Sequence, residues 1–184
     1  TNGDRRMTSK LKTDVLETVS GSGTIALTNQ LSGMTHASVP VLTTSHMPSG
    51  SVLQVVEGIT TLQTAHNSTT YAATAITASI TPSSTSSKIL VSVTSNMESN
   101  ANGEYGWFSI HRGSTNIIEN CIGQQSFTGS PIFPIAIQKL DSPSSTNAVT
   151  YKLYIKRTVA TIVANINRNG INSIASITLM EIKG

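Results

Sequence analysis

The stretch that decides the fold is SITPSSTSSKILVSVTSN, residues 79–96. Ile76, Ala78 and Ile80 place an apolar side chain at every second position, which predicts a strand with one buried face. Pro82 ends this run, because proline has no N–H to give to a ladder, and the serines and threonines that follow it favour a turn. An apolar run resumes over residues 88–93. The stretch therefore predicts strand, turn and antiparallel strand.

The rest of the chain after Gly50 repeats this pattern of short β-branched runs separated by Ser, Thr, Asn, Gly and Pro. No segment has the apolar spacing of a long amphipathic helix. So many strands in one open sheet would expose long edges, so we expect an all-β fold, an antiparallel β-sandwich of the jelly-roll type. The predicted strands are residues 52–57, 60–65, 71–81, 88–97, 105–111, 116–122, 132–140, 149–157, 159–166 and 173–182.

Residues 1–50 differ in character. Residues 1–12 are polar and basic without periodicity, which predicts an extended arm. The runs that follow are too short and carry too few apolar side chains to form a core alone, so we expect a stem that needs neighbouring chains. Met47, Pro48, Ser49 and Gly50 then break the chain, and we place a domain boundary there. The prediction is an arm and stem over 1–50 and a β-sandwich over 51–184.

The composition is poor in charge. Charged residues make up 11% of the chain, against about 25% in a typical soluble domain, so the surface is rich in hydroxyls and is expected to be partly covered by other copies of the chain. The net charge is +3, but the basic residues form no dense patch, so no nucleic-acid binding is expected. No apolar run approaches the 18 or so residues of a membrane span, so no membrane insertion is expected.

The residue types that serve as catalytic groups or metal ligands in other proteins form no catalytic or metal-binding pattern in this sequence. The four histidines, at 36, 46, 66 and 111, include no His-x-His pair, and the single Cys121 lies in a predicted strand. Glu98 and Glu104 flank one loop, but nothing predicts the sugar-binding groove that a glycosidase needs. We predict no enzyme activity, no metal and no cofactor.

The aromatic residues near position 107 are the one ambiguous group. On a strand, Tyr105 and Trp107 share a face and Phe108 takes the opposite one. An exposed Tyr/Trp pair would stack on a sugar ring of a host-surface glycan. With only 4% aromatic residues in the chain, we expect instead that the pair is buried, in the core or between the chains of a trimer.

Six short sequence segments, in their order along the chain, resemble a β-domain of tail-fibre, head-fibre and capsid-decoration proteins of tailed phages, particularly those of aquatic bacteria. The resemblance covers about residues 50–184. The segments are GSVLQVV (50–56), SITPSSTSSKILV (79–91), HRGST (111–115), LDSP (140–143), VTYK (149–152) and ITLMEI (177–182).

This resemblance implies a virion component on the particle surface, a homotrimer whose N-terminal segment docks on other virion proteins while the β-domain faces outward. Arg5, Arg6, Lys10 and Lys12 are the expected contacts of the docking arm. The alternative function is a carbohydrate-binding, receptor-reading module whose site is the Tyr105 and Trp107 face or the loop at 98–104.

Overall fold

The computed structural model describes residues 43–99, 105–125, 132–157, 164–166 and 173–184, with the backbone alone at 99, 105, 120–125 and 164–166. After a 3₁₀ turn at Thr44–His46, every element within these described ranges is a strand, as the periodicity predicted. The strands are β1 (Val52–Thr60), β2 (Thr64–His66), β3 (Ala72–Ile80), β4 (Lys88–Ser99), β5 (Tyr105–Arg112), β6 (Thr115–Gln125), β7 (Ile132–Asp141), β8 (Val149–Arg157), β9 (Ala164–Ile166) and β10 (Ala175–Ile182).

The strands form two antiparallel sheets packed face to face. Four long strands of the six-stranded sheet run in the order β1-β10-β4-β7, and the short β9 and β2 continue it beside the last residues of β4. The four-stranded sheet has the order β3-β8-β5-β6. The long strands cross from one sheet to the other in the sequence that defines a jelly roll. The predicted antiparallel β-sandwich is confirmed.

The core lies between the sheets and is built from the apolar positions that alternate along each strand. Ile89, Val91 and Val93 of β4 and Leu153 and Ile155 of β8 are all buried and belong to one apolar cluster between the sheets. The organising stretch at 79–96 crosses from one sheet to the other, since it supplies the end of β3 and most of β4. It is therefore shared by both halves of the core.

Close approach of the two layers depends on one glycine. A Cβ added to Gly58 of β1 would lie 2.2 Å from the backbone oxygen of Thr77 in β3. The absence of a side chain lets β1 run through Gly58 without a break. This explains why the two strands predicted at 52–57 and 60–65 are instead one strand, Val52–Thr60, followed by the short β2.

Two further expectations about strands are met. β5 and β6 form a hairpin around Gly113, whose positive φ of 56° suits the tight turn. Pro134 lies in β7, which among the described strands pairs only with β4 and so is an edge strand there, where a missing N–H is tolerated. Of the strand expected at 159–166, the described residues show Ala164–Ile166.

The predicted arm and most of the predicted stem lie outside the described residues, and the boundary at residue 50 stays a prediction. Residues 43–50 are described and are joined to the C-terminal end of the sandwich. Lys183 Nζ donates to the carbonyl oxygens of Ser45, at 3.1 Å, and of Met47. The amide of Gly50 donates to the carbonyl of Lys183 at 2.8 Å.

Candidate functional site

The two ends of the sandwich differ in construction. At one end, four strands begin (β1, β4, β6 and β8) and four strands finish (β3, β5, β7 and β10). The pairing of Val52 with Ile182 and of Ile80 with Val149 shows this arrangement. We call this end the near end, because residues 43–50 join the sandwich there. The opposite end, where β4, β6 and β8 finish, is the far end.

A buried carboxylate holds the turn of the organising stretch at the near end. Glu181 of β10 has no exposed surface. Its Oε1 accepts hydrogen bonds from the backbone N and Oγ of Ser83, at 2.7 and 2.6 Å, and its Oε2 accepts one from Gln54 Nε2 at 2.5 Å. Burial alone would raise the pKa of Glu181, but the hydrogen bonds from Ser83 and Gln54 outweigh burial and lower the pKa. The carboxylate is therefore charged at neutral pH.

A second polar network ties the two sheets together at the same end. Asp141 of β7 accepts hydrogen bonds at 2.8 Å from Arg112 Nη1 and from Tyr151 Oη, both of the four-stranded sheet. Arg112 also donates to the carbonyl of Ser142 at 3.1 Å. Burial and the hydrogen bond to Asp141 raise the pKa of Tyr151 well above its ordinary value. These contacts join β5 and β8 of one sheet to β7 of the other at the near end.

The outer face of the six-stranded sheet carries an exposed apolar row. Val55, Met180, Leu90 and Leu140 lie directly opposite one another on β1, β10, β4 and β7. Val55 and Leu140, at the two ends of the row, are 55% and 49% exposed. We call these four residues the apolar row.

The two rows of residues beside the apolar row also carry little charge. The next row is Glu57, Thr178, Ser92 and Gln138, and the one after it is Ile59, Ser176, Thr94 and Ala136. Glu57 is the only charged residue in these three rows, and Ile59 is 62% exposed. A face this apolar and this poor in charge is typical of a surface that contacts another protein.

The outer face of the four-stranded sheet carries a different surface, a cluster of rings around one ammonium group. The rings of His111 and Tyr154 stack with centroids 3.8 Å apart, and Tyr71 meets His111 edge-on at 6.0 Å. Lys156 Nζ lies 4.5 Å from the Tyr71 centroid and 5.8 Å from the Trp107 ring. We call Tyr71, Trp107, His111, Tyr154 and Lys156 the ring cluster.

The registry of β5 and β8 builds this cluster. Trp107 is directly opposite Lys156, and His111 is opposite Lys152, so the side chains fall on one face. Burial lowers the pKa of His111, and the nearby charge of Glu119 opposes that shift. His111 Nε2 is buried and makes no hydrogen bond within the described part of the chain. The imidazole is therefore neutral at neutral pH and acts as a flat packing surface.

The structure separates the residues singled out from the sequence. Trp107 lies partly exposed on the outer face, while Phe108 is buried at 1% exposure. Of the two expected placements of Trp107, the core is not the one observed, because the alternation of β5 gives that position to Phe108, and a contact between the chains of a trimer stays a prediction. Tyr105 is the first residue of β5, and its side chain is outside the described atoms. Arg5, Arg6, Lys10 and Lys12 lie outside the described residues.

Sequence reasoning missed the partners of Trp107. Tyr154 and Lys156 alternate with the buried Leu153 and Ile155 in β8, so the period of two placed them on an outer face. What the sequence did not reveal was that β5 lies beside β8. That adjacency comes from the jelly-roll strand order, and it brings Trp107 and Lys156 together from positions 49 residues apart in number.

The remaining candidate chemistry is scattered. Glu98 is 7% exposed at the end of β4, and Glu104 is outside the described residues. His46 is exposed beside the near end, His36 is not described, and the side chain of Cys121 is not described either. Among the residues that the structure does describe, no three His, Cys, Asp or Glu side chains are grouped as a metal site requires. In that same part of the chain no helix is long and apolar enough to cross a membrane.

No protein-family model matches this sequence, and no curated protein matches it either. Among solved structures, the crystal structure of the infectious bursal disease virus VP2 subviral particle is similar with a TM-score of 0.40 and 10% identity. The match covers 73% of this chain and 39% of that one, so the chain spans about two fifths of the VP2 length. The jelly-roll β-sandwich follows from the strand order of the two sheets, and the similarity to this viral capsid protein is distant.

Proposed function

We propose that the chain is a structural subunit of a virion that associates with copies of itself through the outer face of the six-stranded sheet. The observation that carries this proposal is the apolar row, whose end residues Val55 and Leu140 are about half exposed in a single chain. Isolated exposed apolar residues are ordinary, but four in register across four strands are a contiguous patch.

The finer assignment is a homotrimeric fibre or capsid-decoration subunit of a tailed phage, displayed on the particle surface. Its support is the ordered set of sequence segments given above, most of which fall at the near end: Gly50 and Ser51 before β1, the turn at 82–87, and the last residues of β10. The near end also receives residues 43–50. In this proposal the N-terminal segment docks on other virion proteins, and the far end points away from the particle.

The energetics favour association by many weak contacts. Burying the exposed half of a valine or leucine side chain contributes about 1 kcal/mol, so one apolar row gives only part of what a stable complex needs. Three copies and further contacts raise the total, and a surface with many copies adds avidity. In this proposal the chain is not an enzyme and holds no cofactor.

The proposal is tested by the molar mass of the purified chain in solution, measured by light scattering at micromolar concentration. We expect a trimer. Leu140→Glu places a charge at the end of the apolar row, where burial against another copy would desolvate the carboxylate. We therefore expect the concentration at which the trimer dissociates to be at least about tenfold higher for this variant than for the native chain. Thr150→Glu adds the same charge to the exposed outer face of the other sheet and serves as the matched control.

The variants distinguish the proposed face from other modes of assembly. Dissociation by Leu140→Glu with an intact trimer for Thr150→Glu supports the six-stranded sheet as the interface. A native chain that is monomeric at these concentrations contradicts self-association. A trimer that Thr150→Glu disrupts and Leu140→Glu leaves intact places the contact on the opposite sheet and contradicts the role of the apolar row.

A further inference from the structure

The ring cluster holds an ammonium group in a fixed place on an otherwise flat sheet face. Lys156 Nζ sits 4.5 Å from the centroid of Tyr71 and 5.8 Å from that of Trp107. Within the described part of the chain Lys156 forms no salt bridge. An ammonium attracted to ring faces keeps N–H donors for a further acceptor. The arrangement therefore presents a positioned donor that no carboxylate among the described residues neutralises through a salt bridge.

Among the described residues, the charges around the cluster are mainly positive. Lys152 lies on the same outer face, four residues before Lys156 and opposite His111. Glu119 is the nearby carboxylate, and its Oε1 accepts a hydrogen bond from Asn116 Nδ2 at 2.9 Å. The two lysines outnumber it, so this face attracts an anion rather than a cation.

The same cluster provides an apolar floor. Trp107 and Tyr71 are partly exposed, and the Tyr71 ring is held edge-on against His111. Rings that are fixed before binding lose little conformational freedom when a ligand is bound. The C–H face of a pyranose packs on such aromatic surfaces, while a carboxylate or sulfate on the same sugar reaches an ammonium beside the ring.

We propose that the ring cluster, with Lys152 beside it, binds an acidic sugar unit of a polysaccharide. Lys156 binds the anionic substituent, and Trp107 and Tyr71 carry the sugar ring. A single-stranded nucleic acid is the other polymer that combines rings and charge, but it requires a row of stacking platforms and a track of basic residues. Here the faces of His111 and Tyr154 are already occupied by each other, and the described face offers only two lysines.

The position of Trp107 and Lys156 suits an outward-facing site. Trp107 and Lys156 lie next to the far-end termini of β5 and β8, away from the end that residues 43–50 join. The cluster is also on the opposite sheet from the apolar row, so assembly through that row leaves the cluster accessible. The inference does not rest on self-association, because one chain holds every residue of the site.

Trp107 is the only tryptophan in the chain and is itself part of the site, so its fluorescence reports binding directly. The full-length native chain is titrated with alginate oligosaccharides, which carry a carboxylate on each sugar, and with neutral dextran oligosaccharides of the same length. We expect a saturable change of Trp107 fluorescence with alginate and none with dextran.

Three variants separate a site from general charge attraction. Lys156→Met keeps an apolar stem and removes the ammonium, and we expect it to weaken alginate binding at least about tenfold, since it loses a charge-assisted hydrogen bond. Lys88→Met removes the same charge from an exposed position on the other sheet and is expected to change the affinity less than about twofold. Tyr71→Ala removes one ring beside Lys156, leaves the fluorescent reporter in place, and is expected to weaken binding while far-UV circular dichroism stays native.

Several results would overturn the proposal. One is a native chain that binds none of alginate, hyaluronan and polygalacturonate oligosaccharides. Another is an equal loss for Lys156→Met and Lys88→Met, which would mean general attraction to a cationic protein. Tighter binding of a thymidine oligonucleotide than of alginate, lost in Lys156→Met, would assign the face to nucleic acid instead. Light scattering on the same samples reports assembly separately, so failure of one proposal is distinguishable from failure of the other.

Discussion

Replacing Glu181 by Gln tests the physical basis of the near end. The side chain is fully buried and accepts three hydrogen bonds from Ser83 and Gln54. A glutamine of the same shape keeps Ser83 as a partner but turns its own amide toward Gln54. Gln54 cannot remove this clash of two amide donors by rotating its own amide group, because its Nε2 also donates to the carbonyl of Thr81 at 2.7 Å.

The magnitude follows from these contacts. A hydrogen bond to a charged group contributes about 1.5–3 kcal/mol and a neutral one about 1 kcal/mol. Glu181→Gln weakens the two hydrogen bonds from Ser83 and loses the one from Gln54, which together lower the free energy of unfolding by about 3 kcal/mol. For a domain of this size that corresponds to a fall of roughly 10 °C in Tm. Urea denaturation at fixed protein concentration measures the loss, and Glu57→Gln, at an exposed position of the same sheet, is the control.

The pH dependence gives a second, independent check. The hydrogen bonds hold the pKa of Glu181 below its ordinary value of 4.5, so the folded state binds fewer protons than the unfolded state. The charged carboxylate then stabilises the fold above that ordinary value, and the contribution is lost as the pH falls through the folded-state pKa. The difference in free energy of unfolding between the native chain and Glu181→Gln is therefore expected to be smaller at pH 3 than at pH 7. A difference below about 1 kcal/mol at pH 7, or one that is equal at both pH values, would refute the reasoning.

Two further changes probe the packing of the sheets, and both are measured by urea denaturation. Asp141→Asn removes the charge that Arg112 and Tyr151 share and is expected to cost about 2 kcal/mol, since Arg112 is partly solvated; an unchanged midpoint would mean that the tie between the sheets is dispensable. Gly58→Ala places a methyl group 2.2 Å from a backbone oxygen of β3 and is expected to cost at least about 2 kcal/mol. Gly113→Ala, in open space at a positive φ, is expected to cost only about 1 kcal/mol, and the reverse order of these two losses would contradict the close approach of β1 and β3.

The strands were predictable because their signal is local. Ile76, Ala78 and Ile80 alternate, Pro82 ends the run, and nothing distant is needed to read them as the end of β3. The sandwich followed from counting strands and asking how their edges are protected. The continuity of β1 through Gly58 was not predictable, because its reason is a backbone oxygen of another strand.

The functional surfaces were harder to predict because they depend on register. Val55, Met180, Leu90 and Leu140 are unremarkable one by one, and only the pairing of four strands places them in a row. Glu181 looks like an ordinary charge near a chain end, yet it is buried beneath a turn 98 residues away in sequence. Periodicity states which face a side chain takes, and it does not state which strand lies alongside.

The central claim is that the sandwich itself carries the contact between copies, and molar mass tests it most directly. Light scattering compares the full chain with a chain that begins at Thr43, the first described residue before the near end. Because the apolar row lies wholly within β1, β4, β7 and β10, we predict that both are trimers at micromolar concentration. A trimeric full chain beside a monomeric shortened chain would locate the assembly in residues 1–42 and contradict the claim.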